Sequence, residues 1–174
     1  MKNRISSHDL RQHINELNEE LDLEVHIKRI VFWSRDYAEY EYCEGNTGII
    51  KINPYQKFND ILEDLYHELA HAILHQCRVP RKYLAVFRET SPSIGQSRFD
   101  KYEFQKDVPP PEGYVSWYSI VNGTEEFCEL FSAWACSGYK IKGRIDYSGW
   151  SHSIEKEKNL KKKILQLQRI FRKR

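Results

Sequence analysis

The stretch DILEDLYHELAHAILHQ, residues 60–76, carries one unbroken helical period. Ile61, Leu65, Leu69, Ala72, Ile73 and Gln76 recur every three or four residues, which places them on one side of a helix expected over Asp60–Gln76. Pro80, which has no N–H to continue a helical ladder, ends this helix or follows its end. Upstream the period changes to two. VHIKRIVFW (25–33), YAEYEYC (37–43) and GIIKIN (48–53) are rich in β-branched and aromatic residues, and Ala38, Tyr40 and Tyr42 alternate with Glu39 and Glu41. The EGNTG between the last two adds a turn signal, so three strands are expected, the latter pair forming a hairpin. Before them, Leu10, Ile14, Leu17 and Leu21 mark a first amphipathic helix over Asp9–Leu21, with Ser7 or Asp9 as its N-cap.

Downstream, residues 88–113 have Ser, Pro, Gly and charge but no sustained period, and are read as a long irregular excursion of the kind that forms lids. TEEFCELFSAWAC (124–136) predicts another helix with Thr124 as N-cap, and a last one over residues 155–172 has Leu160, Ile164, Leu167 and Phe171 in one stripe. This order predicts an α+β fold: a small sheet of three to four strands packed on the 60–76 helix, with further helices at both ends. A chain of 174 residues suits a single domain, 1–174, with 151–174 as its basic C-terminal helix.

Composition narrows the class. No apolar run is long enough to span a bilayer, and the polar, periodic N-terminus lacks the apolar core of a secretory signal, so a cytoplasmic protein without membrane contact is expected. Cys43, Cys77, Cys128 and Cys136 form no C-x-x-C pair, which favours reduced thiols over a disulfide framework. Residues 151–174 hold nine Lys or Arg against two Glu; that net +7 leaves −5 for the rest of a chain whose formal charge is +2.

His67 and His71 lie four residues apart, so on a helix they are about 40° apart around the axis and one turn apart along it. Two imidazoles so placed converge on a single ion. Glu68 follows His67 directly and can reach a water on that ion without displacing a ligand; this is the H-E-x-x-H arrangement of two zinc ligands and a general base. His75 is two turns beyond His67, about 12 Å along the axis, and is read as a histidine of the helix C-terminus or one supporting a ligand. Asp64, one turn before His67, is read as a solvated residue in preference to a further carboxylate supporting the site.

A catalytic zinc normally takes a third protein ligand. The 124–136 helix offers Glu125, Glu126 and Glu129. Glu125, Cys128, Glu129, Ser132 and Cys136 share one face of it, with small side chains that permit close helix approach. Glu125 is therefore the expected ligand, and Glu129 the carboxylate that accepts the free N–H of a ligating histidine. Glu126 shares its face with Leu130 and Ala133 and is read as a solvated glutamate near a helix N-terminus.

HELAH followed by Glu-x-x-x-Glu on a later helix resembles the gluzincin metallopeptidases. YVSWYSIVNGTEEFCELFSAW (114–134) is similar to the final helix of anthrax lethal factor-like catalytic domains and, more loosely, of the phage and bacterial repressor-cleaving metallopeptidases. The resemblance covers some thirty residues in two blocks. It implies a zincin-like fold, Zn2+ held by His67, His71 and Glu125, and a protein or peptide substrate hydrolysed with Glu68 as base. It also sets Tyr118 on the catalytic tyrosine, with Tyr114 the second candidate for stabilising an oxyanion. Cys128 stands where these families have alanine, and the 53 residues between His71 and Glu125 exceed the thermolysin-type spacing.

The alternative is a zinc-binding regulatory or nucleic-acid-associated protein without peptidase activity. A structural zinc site is more often closed by four Cys or His ligands and has no use for Glu68. The basic tail admits nucleic acid as a partner, but a helix packed by its leucine stripe and showing Lys and Arg to solvent is the simpler expectation.

Overall fold

The computed structural model describes residues 5–87 and 108–171, and is mixed α+β. Residues 88–107, most of the irregular excursion, lie outside the described residues. Chain contacts divide the protein into two compact units, Met1–Val79 with Phe171–Arg174, and Pro80–Ile170.

The first unit runs α1 (Ser7–Leu21), β1 (Ile27–Phe32), β2 (Glu39–Cys43), β3 (Thr47–Ile52) and α2 (Phe58–Gln76). The leucine stripe of α1 is buried as its period requires. Its cap is Ser6, one residue earlier than expected: the Ser6 hydroxyl accepts the Asp9 N–H while the Asp9 carboxylate accepts the Ser6 N–H, a reciprocal capping box. These Ser6 bonds, the backbone N–H first, hold the Asp9 carboxyl below its ordinary value of 3.8. A depressed carboxyl stabilises the fold above its unfolded pKa, and that contribution is lost as pH falls through the folded value. Thermal melts should therefore show Ser6→Ala less stable than the parent at pH 7, with the gap narrowing in acid as Asp9 is protonated and the Ser6 hydroxyl loses its carboxylate acceptor, while the part due to the Asp9 N–H persists. A gap that does not narrow in acid would rule out a contribution from the bond between the Ser6 hydroxyl and the Asp9 carboxylate.

The sheet order is β1-β3-β2, with β2 antiparallel to β3 as the hairpin reading required and β1 parallel to β3. In central β3, Gly48, Ile50 and Ile52 face the core on alternate positions. Gly48 leaves room for the Tyr40 ring, since a Cβ there would fall 2.1 Å from Tyr40 Cε2. Edge strand β1 is covered by α1: Arg11 donates to the carbonyls of Ile27 and Lys28, both at 3.0 Å, which blocks pairing with another strand.

Helix α2 packs on β2 and β3 with Ile61, Leu65, Leu69, Ala72 and Ile73 buried. Its last residue, Gln76, clamps it in place. The Gln76 side chain accepts the His26 N–H at 2.8 Å, and donates to the His26 carbonyl at 3.3 Å and to the Tyr40 hydroxyl at 3.1 Å.

The second unit contains α3 (Arg81–Leu84), opened by Pro80 and continued by a 3-10 turn (Ala85–Phe87). A further 3-10 turn (Tyr118–Ile120) leads to α4 (Gly123–Cys136), followed by β4 (Arg144–Tyr147), β5 (Trp150–Ser153) and α5 (Lys158–Ile170). The α4 cap is Asn122 and not Thr124: the Asn122 side chain accepts the N–H of Thr124 at 2.8 Å and of Glu125 at 3.0 Å. The β4–β5 hairpin is a second sheet separate from the first, where a single sheet was expected. Its turn at Ser148-Gly149 has φ of 50° and 79°, and two successive positive values give the twist that a two-residue hairpin needs. Phe87, Phe127 and Phe131 form an aromatic core, with ring centroids 5.3 and 6.1 Å apart along the series.

Candidate metal centre

In the first unit, α2 brings His67 and His71 together with their Nε2 atoms 3.2 Å apart and their ring centroids 5.0 Å apart. Two ring nitrogens at this separation share either a proton or a cation. Two Zn–N bonds of about 2.0–2.1 Å in a tetrahedron place their nitrogens about 3.3 Å apart, so this pair fits a shared ion without rearrangement. Both rings would then hold their protons on Nδ1 and offer Nε2 lone pairs. Glu68 is buried, 7 % exposed, directly after the first of these histidines.

His75 is exposed, and its ring lies against Tyr40 and Tyr42 of the hairpin, at centroid distances of 5.6 and 6.0 Å. It packs the end of α2 onto β2, as a residue two turns beyond His67 must if the helix is straight. Asp64 is half-buried.

In the second unit, α4 carries Glu125, Glu126 and Glu129, in three different settings. Glu125 lies in the first turn, half-buried, with its backbone N–H held by Asn122. Glu129 is buried; one carboxylate oxygen accepts the Ser116 hydroxyl at 2.5 Å and the other the Tyr147 hydroxyl at 3.3 Å. Ser116 is itself fixed by Ser119, hydroxyl to hydroxyl at 2.9 Å. Tyr118 opens the 3-10 turn and is half-buried.

Glu126 departs from its reading as a solvated residue. It is 4 % exposed and forms an ion pair with Lys163 of α5, itself completely buried. The Lys163 ammonium also donates to the Gly113 carbonyl at 2.8 Å and lies 4.1 Å above the Tyr114 ring, so Tyr114 is a core aromatic beneath a cation. Burial pushes Lys163 below its ordinary value of 10.5, with Glu126 acting against that shift. The expectation that Lys163 faces solvent with its neighbours fails for a geometric reason. On a helical wheel it falls about 40° from Leu167 and 60° from Leu160, inside the apolar arc and not opposite it. That angle was legible in the sequence; the partner was not. Ser116 and Tyr147 had no motif to announce them.

No disulfide joins the four cysteines; Cys128 is fully buried and Cys136 exposed. Among the described residues no helix is long and apolar enough to cross a membrane. The chain matches no protein-family model, no curated protein and no solved structure.

Proposed function

We propose that the protein is a zinc-dependent metallopeptidase with a zincin-like site, in which His67, His71 and Glu125 hold the metal and Glu68 is the general base. The observation that carries this is the 3.2 Å approach of the two Nε2 atoms on α2, next to a buried glutamate that is not needed as a ligand. Bound zinc supplies Lewis acidity, which makes water nucleophilic near neutral pH and polarises a peptide carbonyl. Glu68 takes the proton of the attacking water and delivers it to the departing amide nitrogen. The Tyr118 hydroxyl donates to the oxyanion as it develops. Glu129, held by Ser116 and Tyr147, acts as a positioning carboxylate for a ligating histidine.

The choice of Glu125 over its neighbour is supported within the second unit itself, because Glu126 is committed to Lys163. Two imidazoles and one carboxylate form a donor set with a position left for water, as hydrolytic zinc sites have. A protein or peptide is the substrate class this chemistry fits.

Zinc content measured on the purified protein, with affinities by competition against a chromophoric chelator, tests the ligand set. Near-stoichiometric zinc is expected in the parent, with affinity falling at least about 100-fold in His67→Ala, His71→Ala and Glu125→Ala. Retention of zinc at unchanged affinity in Glu125→Ala, with loss in Glu129→Ala, would move the third ligand one turn along α4. A peptide-library cleavage assay on the same preparations tests the activity; full zinc with no cleavage of any peptide would favour a regulatory zinc protein instead.

A further inference from the structure

Helix α5 has two opposite faces. Leu160, Lys163, Ile164 and Leu167 are buried, whereas Lys158, Lys161, Lys162, Leu165 and Arg169 are exposed. At 100° per residue the exposed set falls within an arc of about 100°, centred opposite the buried one, and the charges extend over about 16 Å of helix. The hairpin adds to this face. Exposed Lys142 and Arg144 flank Gly143, whose N–H donates to the Glu155 carboxylate at 2.7 Å, just before α5. The Gly143–Glu155 bond sets Lys142 and Arg144 beside the start of α5. The acids of the region offset part of this charge: Glu155, Glu157 and Asp146 are three carboxylates against the six cations Lys142, Arg144, Lys158, Lys161, Lys162 and Arg169, so the face stays cationic.

We infer that this face of α5 and the β4–β5 hairpin binds the phosphate backbone of duplex nucleic acid. Three alternatives fit the surface less well. Protein interfaces are depleted in lysine and are built around apolar or aromatic anchors, and here Leu165 is the lone apolar residue in the arc. Peripheral membrane helices insert an apolar face, but that of α5 is already buried within its own unit. Single strands are held by aromatic platforms, and the exposed arc of α5 has no aromatic side chain. A rigid row of lysines and an arginine, aided by a second element carrying Lys142 and Arg144, matches a regularly charged polyanion read without base specificity.

Fluorescence anisotropy of the full chain with labelled 20-base-pair DNA and RNA duplexes, across a salt series, tests this; it requires neither zinc nor peptidase activity. Binding to a duplex is expected at about 50 mM salt, with log K falling linearly in log salt at a slope near −4 for four to five phosphate contacts. Combined Lys158→Gln, Lys161→Gln, Lys162→Gln and Arg169→Gln should weaken binding more than about 10-fold and flatten that slope, with thermal melting unchanged because all four side chains are exposed. Lys28→Gln with Arg29→Gln, exposed in the first unit, should leave binding intact. The inference is overturned by absence of duplex binding at low salt or by undiminished binding in the fourfold variant. Preference for single strands, or capture by anionic phospholipid vesicles without duplex binding, would overturn it equally.

Discussion

Glu68→Gln is expected to lower kcat/KM for peptide cleavage by about 10²–10⁴-fold while zinc stays bound at the parental affinity. The substitution keeps the volume and hydrogen-bonding reach of the side chain and removes only its ability to take a proton at neutral pH. Because Glu68 lies about 100° round α2 from His67, it does not share the direction in which the two Nε2 atoms converge, and its loss should not disturb them. The contrast with the histidine variants is the diagnostic part, since His67→Ala and His71→Ala should lose activity together with the metal. Loss of zinc in Glu68→Gln would make Glu68 a ligand, and full activity with zinc bound would place the base elsewhere.

Breaking the Glu126–Lys163 pair should be the most destabilising single change in the second unit. Lys163→Met leaves a buried carboxylate without its cation, and Glu126→Leu leaves a buried ammonium held by the Gly113 carbonyl and the Tyr114 ring alone; each is expected to cost about 3–5 kcal/mol. The double variant should recover most of that loss. Burial pushes Lys163 below its usual value with Glu126 acting against it, and an apolar pair of similar volume removes both desolvation costs along with the attraction. Chemical denaturation of the two single variants and the double one measures the coupling directly. Additive losses would mean that the two groups do not act on each other.

Much of the architecture is readable because it rests on local periods. The buried apolar stripes of α1, α2 and α5 follow from spacing alone, and the β2–β3 hairpin follows from alternation closed by EGNTG. Local geometry also explains the readable half of the candidate site: residues four apart on a helix must be neighbours, so the His67–His71 approach needs only that α2 be helical. Caps were displaced by one or two residues, to Ser6 and Asn122, because several polar residues precede each helix and only the backbone path selects among them. The β4–β5 hairpin was missed because four-residue strands show too little alternation, although Ser148-Gly149 carried a turn signal.

What the sequence determined by itself is therefore the helical register that sets His67, Glu68 and His71 on one segment, and the apolar stripes that require burial. Only the tertiary structure decided which polar groups are buried with them. Glu126 meets Lys163 across 37 positions of chain, Glu129 meets Ser116 and Tyr147, and β1 pairs in parallel with β3. A period reports which side of an element faces inward, but a buried charge is tolerated only where a distant partner meets it, and that meeting is a property of the packed chain.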